Sequence, residues 1–285
     1  MIAERRIWGS FAACAALGLA LQWLLPAAAL IPALLAAILL GGMPHGGLDV
    51  FLARRRFPLR GPVALAVFFA AYLTLAALVV AVWLAAPTAA LIAFLGYSAL
   101  HFGGDWSPAG RFGAASAGIV VLALPALAAP DPVADLFAAL GADGAVARDV
   151  LRAAGLAALV GAVAAFRARP AHLALLGALA ALALVAHPLA YFLAFFCGVH
   201  GPMHILRIRR RYGLSGRAIL ARWVGPAMIA GLAVLILAVL MAPRVGLDTA
   251  AMRAVFVGFA ALTVPHMLLV DLAAGAPRRE TVAAP

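Results

Sequence analysis

Two histidines four residues apart, His200 and His204, stand at the end of a long apolar run, just before a cluster of arginines. On an α-helix this spacing places both imidazoles on one face, roughly 6 Å apart at Cβ, so that they can bind one metal ion. Arg207 follows one turn later. A single pair of this kind in apolar sequence is weak evidence, and a metal site needs further ligands from elsewhere in the chain.

Three other histidines also lie near the ends of apolar runs, and each is followed by an aspartate: His45 with Asp49, His101 with Asp105, and His266 with Asp271. Ionisable groups inside membrane spans are costly and are usually functional. A metal-bound imidazole normally donates its second N–H to a carboxylate or a carbonyl. We therefore expect the three aspartates to orient the histidines, either on the same helix or from a neighbouring one.

The ligand types restrict the metal without selecting one. Imidazole donors suit iron, copper, nickel or zinc and argue against magnesium or calcium. Prolines beside the histidines, at Pro44, Pro202 and Pro265, free a backbone carbonyl and bend a helix. Such backbone is tolerated at membrane depth where it is buried or lines a cavity.

The amino-acid composition indicates what kind of fold carries these residues. The chain has 285 residues, of which 67% are hydrophobic and 11% are charged, and its mean hydropathy is +1.12. Soluble domains have about 45–50% apolar and about 25% charged residues. We therefore predict an all-α, polytopic transmembrane helical bundle that forms a single domain over residues 1–285.

Apolar runs long enough to cross a bilayer recur along the whole chain. They predict about ten spans, or eight or nine if one of the short pairs contains a re-entrant segment. The predicted spans are 7–25, 27–43, 62–85, 88–104, 111–129, 150–166, 170–186, 188–206, 218–242 and 250–272. The first is expected to be a retained helix rather than a signal peptide, because it is long and further spans follow.

The arginines predict the orientation. The net charge of +11 arises without any lysine, and the arginines cluster between apolar runs, which is typical of cytoplasmic loops rather than of a nucleic-acid-binding surface. With the N-terminus inside, only Arg148, Arg152, Arg244 and Arg253 of the 21 arginines fall outside. Both termini are thus predicted to be cytoplasmic in a multi-pass cell (inner) membrane protein, with all four histidine segments at similar depth in the cytoplasmic half.

Other notable residues have simpler interpretations. His172 and His187 each stand alone at the end of a span and are expected to be interfacial. Cys197 precedes His200 by three residues, but a small buried thiol is the favoured interpretation. The arginines from 207 to 211 are expected to anchor the inner face of the protein.

The assembled motifs resemble the Brp/Blh family of bacterial and archaeal integral-membrane β-carotene 15,15′-dioxygenases over nearly the whole chain. The resemblance is carried by PHGGLD at 44–49, HFGGD at 101–105, HGPMH at 200–204 with its following arginine, and PH at 265–266. It implies cleavage of the central double bond of β-carotene by O₂ to give two retinal molecules. It also implies an Fe(2+) centre with the ligands His45, His101, His200 and His204, and places His266 near that centre.

The implied partners follow from this activity. β-Carotene and O₂ are the substrates, the carotenoid enters from the lipid bilayer, and retinal of this origin typically supplies a rhodopsin. Tyrosines are few, so the aromatic lining of a polyene tunnel is expected to come from Phe102, Trp106, Phe195 and Phe196.

Two alternatives remain at this point. Another membrane non-haem iron oxidase, a hydroxylase or desaturase acting on a carotenoid or lipid, would use similar chemistry, but such enzymes usually carry more histidines in several boxes. A metal or solute transporter would place its site near the midplane of broken helices, with polar residues leading to both faces. The outer half of this sequence has few such residues.

Overall fold

The computed structural model of the protein describes residues 2–222, 225, 229 and 247–274. All regular structure in these residues is helical, and no strand occurs among them. The predicted all-α class is therefore confirmed for the described part of the chain.

The helices, numbered in chain order, are α1 (Ile2–Leu24), α2 (Ala27–Gly46), α3 (Asp49–Arg56), α4 (Gly61–Ala85), α5 (Pro87–Gly103), α6 (Gly110–Ala128), α7 (Pro130–Ala139), α8 (Gly144–Phe166), α9 (Pro170–Val185), α10 (Pro188–Phe195), α11 (Gly201–Tyr212) and α12 (Leu247–Ala274). A 3₁₀ segment, Gly104–Ala109, follows α5, and a π-helical segment, Phe196–His200, joins α10 to α11.

Six stretches in the described residues are helical, long and apolar enough to cross a membrane: Arg5–Leu24, Gly61–Ala85, Gly110–Ala128, Gly144–Phe166, Pro188–Tyr212 and Met252–Leu272. The helices Ala27–Gly42 and Pro170–Val185 are apolar but shorter. These features indicate a membrane protein. Every predicted apolar run lies on a described helix except 218–242, which falls mainly outside the described residues. The total of about ten spans and the cytoplasmic side of both termini stay predictions.

Helix boundaries follow from local sequence. Proline occupies the first position of α5, α7, α9 and α10, where its missing N–H costs nothing and its fixed φ suits a helix. Asp143 caps α8 by accepting a hydrogen bond from the Val146 backbone N–H at 3.1 Å. Gly213, with φ of 64°, ends α11 in the left-handed conformation.

The π-helical segment explains how the chain tolerates Pro202. Proline has no N–H, so it cannot bond the carbonyl of Gly198 four residues earlier. The Ser10 hydroxyl of α1 donates to that carbonyl oxygen at 2.6 Å instead. A side chain at position 198 would come within 2.9 Å of the Phe11 Cα atom, so glycine allows α1 to approach. The helical backbone thus continues through the proline, and His200 and His204 lie on one continuous helical segment.

Close packing also fixes the position of α5, which carries His101. A Cβ atom at position 118 of α6 would overlap the Ala99 carbonyl oxygen of α5, and one at position 103 would lie 2.7 Å from the Ala114 oxygen. Small residues at such contacts allow backbone-to-backbone packing of membrane helices. The backbones of α5 and α6 consequently form a tight pair, which limits movement of His101.

Candidate metal centre

Four histidines from four helical elements meet inside the bundle. His101 comes from α5, His200 from the π-helical segment, His204 from α11 and His266 from α12. Their exposed fractions are 8%, 1%, 2% and 2%. The ring centres lie 5.2 Å apart for His101–His200, 5.7 Å for His101–His266, 5.3 Å for His204–His266, 6.2 Å for His200–His204 and 6.4 Å for His101–His204.

These separations can be compared with those of imidazoles sharing an ion. With metal–nitrogen bonds of about 2.0–2.1 Å, two such rings have their centres roughly 4.5–6.5 Å apart, depending on the angle at the metal. All five separations fall in this range. Among the described residues, however, no three histidine, cysteine, aspartate or glutamate side chains already stand in ligand geometry. The chemistry of the donor set and the ring separations nevertheless suit a transition metal.

Asp105 orients His200 from a different helix. Its Oδ2 atom lies 2.8 Å from Nδ1 of His200, and its Oδ1 atom accepts a hydrogen bond from the Arg207 guanidinium at 2.7 Å. The Asp105 side chain is fully buried, while that of Arg207 is 45% exposed. Because an ionised carboxylate accepts and cannot donate, this contact favours the His200 tautomer with the proton on Nδ1 and a lone pair on Nε2.

Asp49 orients His266 in a similar way. Its Oδ1 atom lies 2.6 Å from Nδ1 of His266, and the Tyr72 hydroxyl of α4 donates to its Oδ2 atom at 2.8 Å. That hydroxyl also lies 2.9 Å from the carbonyl oxygen of Leu262, one turn before His266. The Asp49 pair therefore links α3, α4 and α12 around one imidazole.

The predicted site residues are thus placed as follows. His101, His200 and His204 come together, and His266 joins them rather than standing outside. Asp49 and Asp105 each bond a histidine on another helix. Asp271 is exposed and accepts a hydrogen bond from the Tyr97 hydroxyl at 3.1 Å. His45 lies in α2, but its side chain is outside the described residues.

Aromatic rings separate the histidines from the rest of the interior. The Phe102 ring stands edge-on to His200 with centres 4.6 Å apart, and the Phe196 ring is stacked on His200 at 5.7 Å. A Cβ atom at position 42 would overlap the Phe196 ring, so Gly42 of α2 leaves the space that this ring needs. The rings shield one side of the cluster from water.

An apolar cavity begins at these rings. It encloses about 1070 Å³ of space between protein atoms, part of it open to the surroundings. Phe102, Phe195 and Phe196, predicted as tunnel residues, line it. Trp106 does not line it; this fully buried ring packs on Phe166 and His172. Further aromatic lining comes from Trp83, Phe94, Phe137, Phe192, Phe256 and Phe259.

The residues that the sequence does not assign to a metal site lie outside the histidine group. His172 is stacked on Phe166 with ring centres 5.2 Å apart. His187 caps α10, where its Nδ1 atom accepts a hydrogen bond from the Leu189 N–H at 3.2 Å, and burial lowers the pKa of this imidazole. The Cys197 thiol donates to the Ile38 carbonyl oxygen at 3.8 Å. These contacts give all three residues structural roles.

Sequence reasoning missed Tyr72 and the position of His266 within the histidine group. Tyr72 lies in the middle of an apolar helix, where an aromatic residue is unremarkable, and only its contact with Asp49 distinguishes it. The motif at His266 places this residue near the centre without a definite role. Its shared depth with the other histidine segments was the signal that could have included it.

Comparison with known proteins identifies the family of this chain. The family model described as beta-carotene 15,15'-dioxygenase matches residues 36–273, which include all of the histidines discussed. A protein named beta-carotene 15,15'-dioxygenase from an uncultured marine bacterium 66A03 is 29% identical over 258 residues, covering 83% of this chain and 91% of that protein. No solved structure matches. The chain belongs to the beta-carotene 15,15'-dioxygenase family.

Proposed function

We propose that this membrane protein cleaves the central 15,15′ double bond of β-carotene with O₂ at an iron(II) centre, giving two molecules of retinal. The family to which the chain belongs carries the carotenoid-cleaving activity. The observation that supports this site is the meeting of four buried histidines with the end of an apolar cavity. The location in the cell (inner) membrane and the supply of retinal to a rhodopsin are part of the same proposal.

The proposed ligands are His101, His200, His204 and His266. Neutral imidazoles suit iron(II), and the two carboxylates that hold Nδ1 of His200 and His266 favour the tautomer with Nε2 available. His45 stays a proposed ligand on the grounds of its sequence motif. The iron, when bound, supplies the chemistry that activates O₂.

The protein's own residues bind and orient the substrate. The cavity is lined almost entirely by apolar side chains, which suits a polyene hydrocarbon and excludes water. Phe102 and Phe196 lie between the cavity and His200, so a polyene in the cavity would rest against these rings beside the cluster. The same apolar lining argues against passage of a hydrated ion through this cavity.

The test is expression in cells that produce β-carotene, with retinal measured by chromatography and mass spectrometry. The wild-type protein should remove the colour and form retinal. The His200→Ala variant should form none and should contain less iron after purification, because it loses a ligand. His172→Ala is the matched control, since His172 lies outside the cluster, and it should retain both activity and iron.

The other ligands are assigned by the same measurement. His266→Ala and His45→Ala, made separately, should each lower bound iron if both side chains bind it. Full cleavage by His200→Ala would contradict the site. Intact carotenoid beside normal membrane levels of the wild-type protein, or a hydroxylated carotenoid as product, would contradict the reaction and favour a hydroxylase.

A further inference from the structure

We propose that helix α7 is the end wall of the carotenoid cavity, and that its distance from the histidines selects the central double bond for cleavage. This inference rests on the proposed function and extends it to the choice of cleavage position. It concerns the end of the cavity opposite the histidines, which is formed by α7 together with Trp83 and Leu140.

The cavity runs along the helices that carry the histidines. On α5 it is lined from Leu91 to Phe102, and on α12 from Met252 to Thr263. On both helices the lining residues precede the histidine apart from Phe102, so the cavity extends from the cluster toward the N-terminal ends. At 1.5 Å per residue, the path from His101 back to Leu91 is roughly 15 Å, and that from His266 back to Met252 is roughly 21 Å.

This distance is comparable with the length of an extended retinal, which is one half of the symmetrical β-carotene molecule. In the proposed arrangement, one half of the substrate lies between the wall and the histidines. The midpoint of the polyene then lies at the cluster, and the second half extends beyond it.

The far end of the cavity is lined by buried side chains. Val133 of α7 is 4% exposed, Leu140 directly after this helix is 7% exposed, and Trp83 of α4 is 3% exposed. Leu136 and Phe137 of α7 also face the cavity. A short helix therefore lies across the end, and its apolar face forms the surface that a substrate ring would meet.

Two hydrogen bonds hold this helix in place. The Trp83 indole N–H donates to the Leu140 carbonyl oxygen at 3.1 Å, and the Arg253 guanidinium donates to the Ala139 carbonyl oxygen at 2.8 Å. The last carbonyls of a helix lack hydrogen-bond donors within the helix. The two bonds supply such donors at the end of α7 and connect this helix to α4 and α12. A wall held in this way can set the distance between the bound end of the substrate and the histidines.

Movement of the wall should change the products in a defined way. Cleavage of a double bond by O₂ places one oxygen atom on each of its two carbons, giving an aldehyde from a CH carbon and a ketone from a methyl-bearing carbon. Cleavage at the centre gives two identical aldehydes, retinal. A substrate that slides deeper is cut away from its centre and gives one carbonyl product longer than retinal and one shorter.

The test uses the double variant Leu136→Ala/Phe137→Ala, which deepens the cavity, expressed in β-carotene-producing cells. Loss of an apolar wall should lower the ratio of retinal to off-centre carbonyl products by at least about tenfold, the discrimination that one apolar group can provide. Phe112→Ala is the matched control, because Phe112 is 92% exposed and lies outside the cavity. It should give the product ratio of the wild type.

A second variant, Trp83→Phe, removes the indole donor that holds α7 and part of a ring that lines the cavity, and it should shift the ratio in the same direction. If the double variant does not accumulate in membranes, the product ratio of Trp83→Phe alone tests the proposal. Retinal as the sole product of variants present at wild-type levels would overturn the end wall and leave the proposed function intact. Absence of any cleavage by the wild-type protein would overturn the proposed function, and this inference with it.

Discussion

Asp105 and Asp49 each bind the Nδ1 atom of a histidine on another helix, at 2.8 and 2.6 Å, but their second oxygens meet different groups. The Asp105 carboxylate accepts from the cationic Arg207, whereas the Asp49 carboxylate accepts from the neutral hydroxyl of Tyr72. Among the contacts of the described residues, the Asp105 pair includes a cationic side chain and the Asp49 pair does not.

The difference shows how two similar pairs can depend on the centre to different degrees. A buried carboxylate needs either a compensating charge or several hydrogen bonds. Arg207 provides the charge for Asp105 from the protein itself. Asp49 has hydrogen bonds alone among the contacts described above, and the cation proposed at the cluster would supply a positive charge close to its partner His266.

The largest expected effect comes from replacing each carboxylate by its amide. Asparagine at 105 can still accept from His200, but its NH₂ group would face the N–H donors of Arg207. Asparagine at 49 can donate to the Tyr72 oxygen, while Tyr72 donates to the Leu262 carbonyl. Since loss of such partners typically costs 10–100-fold, we expect about 100-fold lower retinal formation for Asp105→Asn and about tenfold for Asp49→Asn.

Initial rates of retinal formation and bound iron check this prediction. Asp271→Asn is the matched control and should behave like the wild type, because Asp271 is exposed and bonds Tyr97. Equal losses in the Asp49 and Asp105 variants would show that the different neutralising groups do not matter.

A smaller effect is expected for Arg207→Gln, which retains a donor for Asp105 but removes the charge. The Arg207 side chain is 45% exposed, and water and salt screen such a charge. We expect retinal formation to fall by roughly tenfold or less. The control is Arg210→Gln, an exposed arginine of the same helix, which should have little effect. A loss as large as that of Asp105→Asn would mean that Arg207 acts in some way other than by balancing this carboxylate.

The smallest effect is expected for Tyr72→Phe. The substitution removes one hydrogen bond to Asp49 without changing any charge, and a hydrogen bond contributes about 0.5–1.5 kcal/mol net, or about fivefold in rate. Tyr97→Phe serves as the control, since that hydroxyl bonds Asp271 outside the histidine group. If Tyr72→Phe reduced activity more than Arg207→Gln, the comparison between the two pairs would be reversed.

Much of this protein could be predicted without its structure. Long apolar runs predict membrane helices because each helix satisfies its own backbone hydrogen bonds in lipid. The predicted runs other than 218–242 lie on described helices. The histidine segments could be recognised because buried ionisable residues are rare in such helices. In the structure, the side chains of four of these histidines come together: His101, His200, His204 and His266.

The partners of the carboxylates could not be predicted in this way. His101 and Asp105 share the four-residue spacing of one helical face, yet Asp105 bonds His200 and Asp49 bonds His266. Spacing shows which residues share a face of one helix, but not which helix lies opposite. Which helix lies opposite depends on close contacts such as those at Gly103 and Gly118.

The sequence by itself therefore determined the membrane class, the helices and the residues able to bind a metal, because composition and helical spacing are local properties. Only the tertiary structure decided that His266 joins the group, that Tyr72 supports Asp49, and that α7 lines the far end of the cavity. Each of these depends on contacts between residues far apart in the chain, and such contacts arise from packing of whole helices.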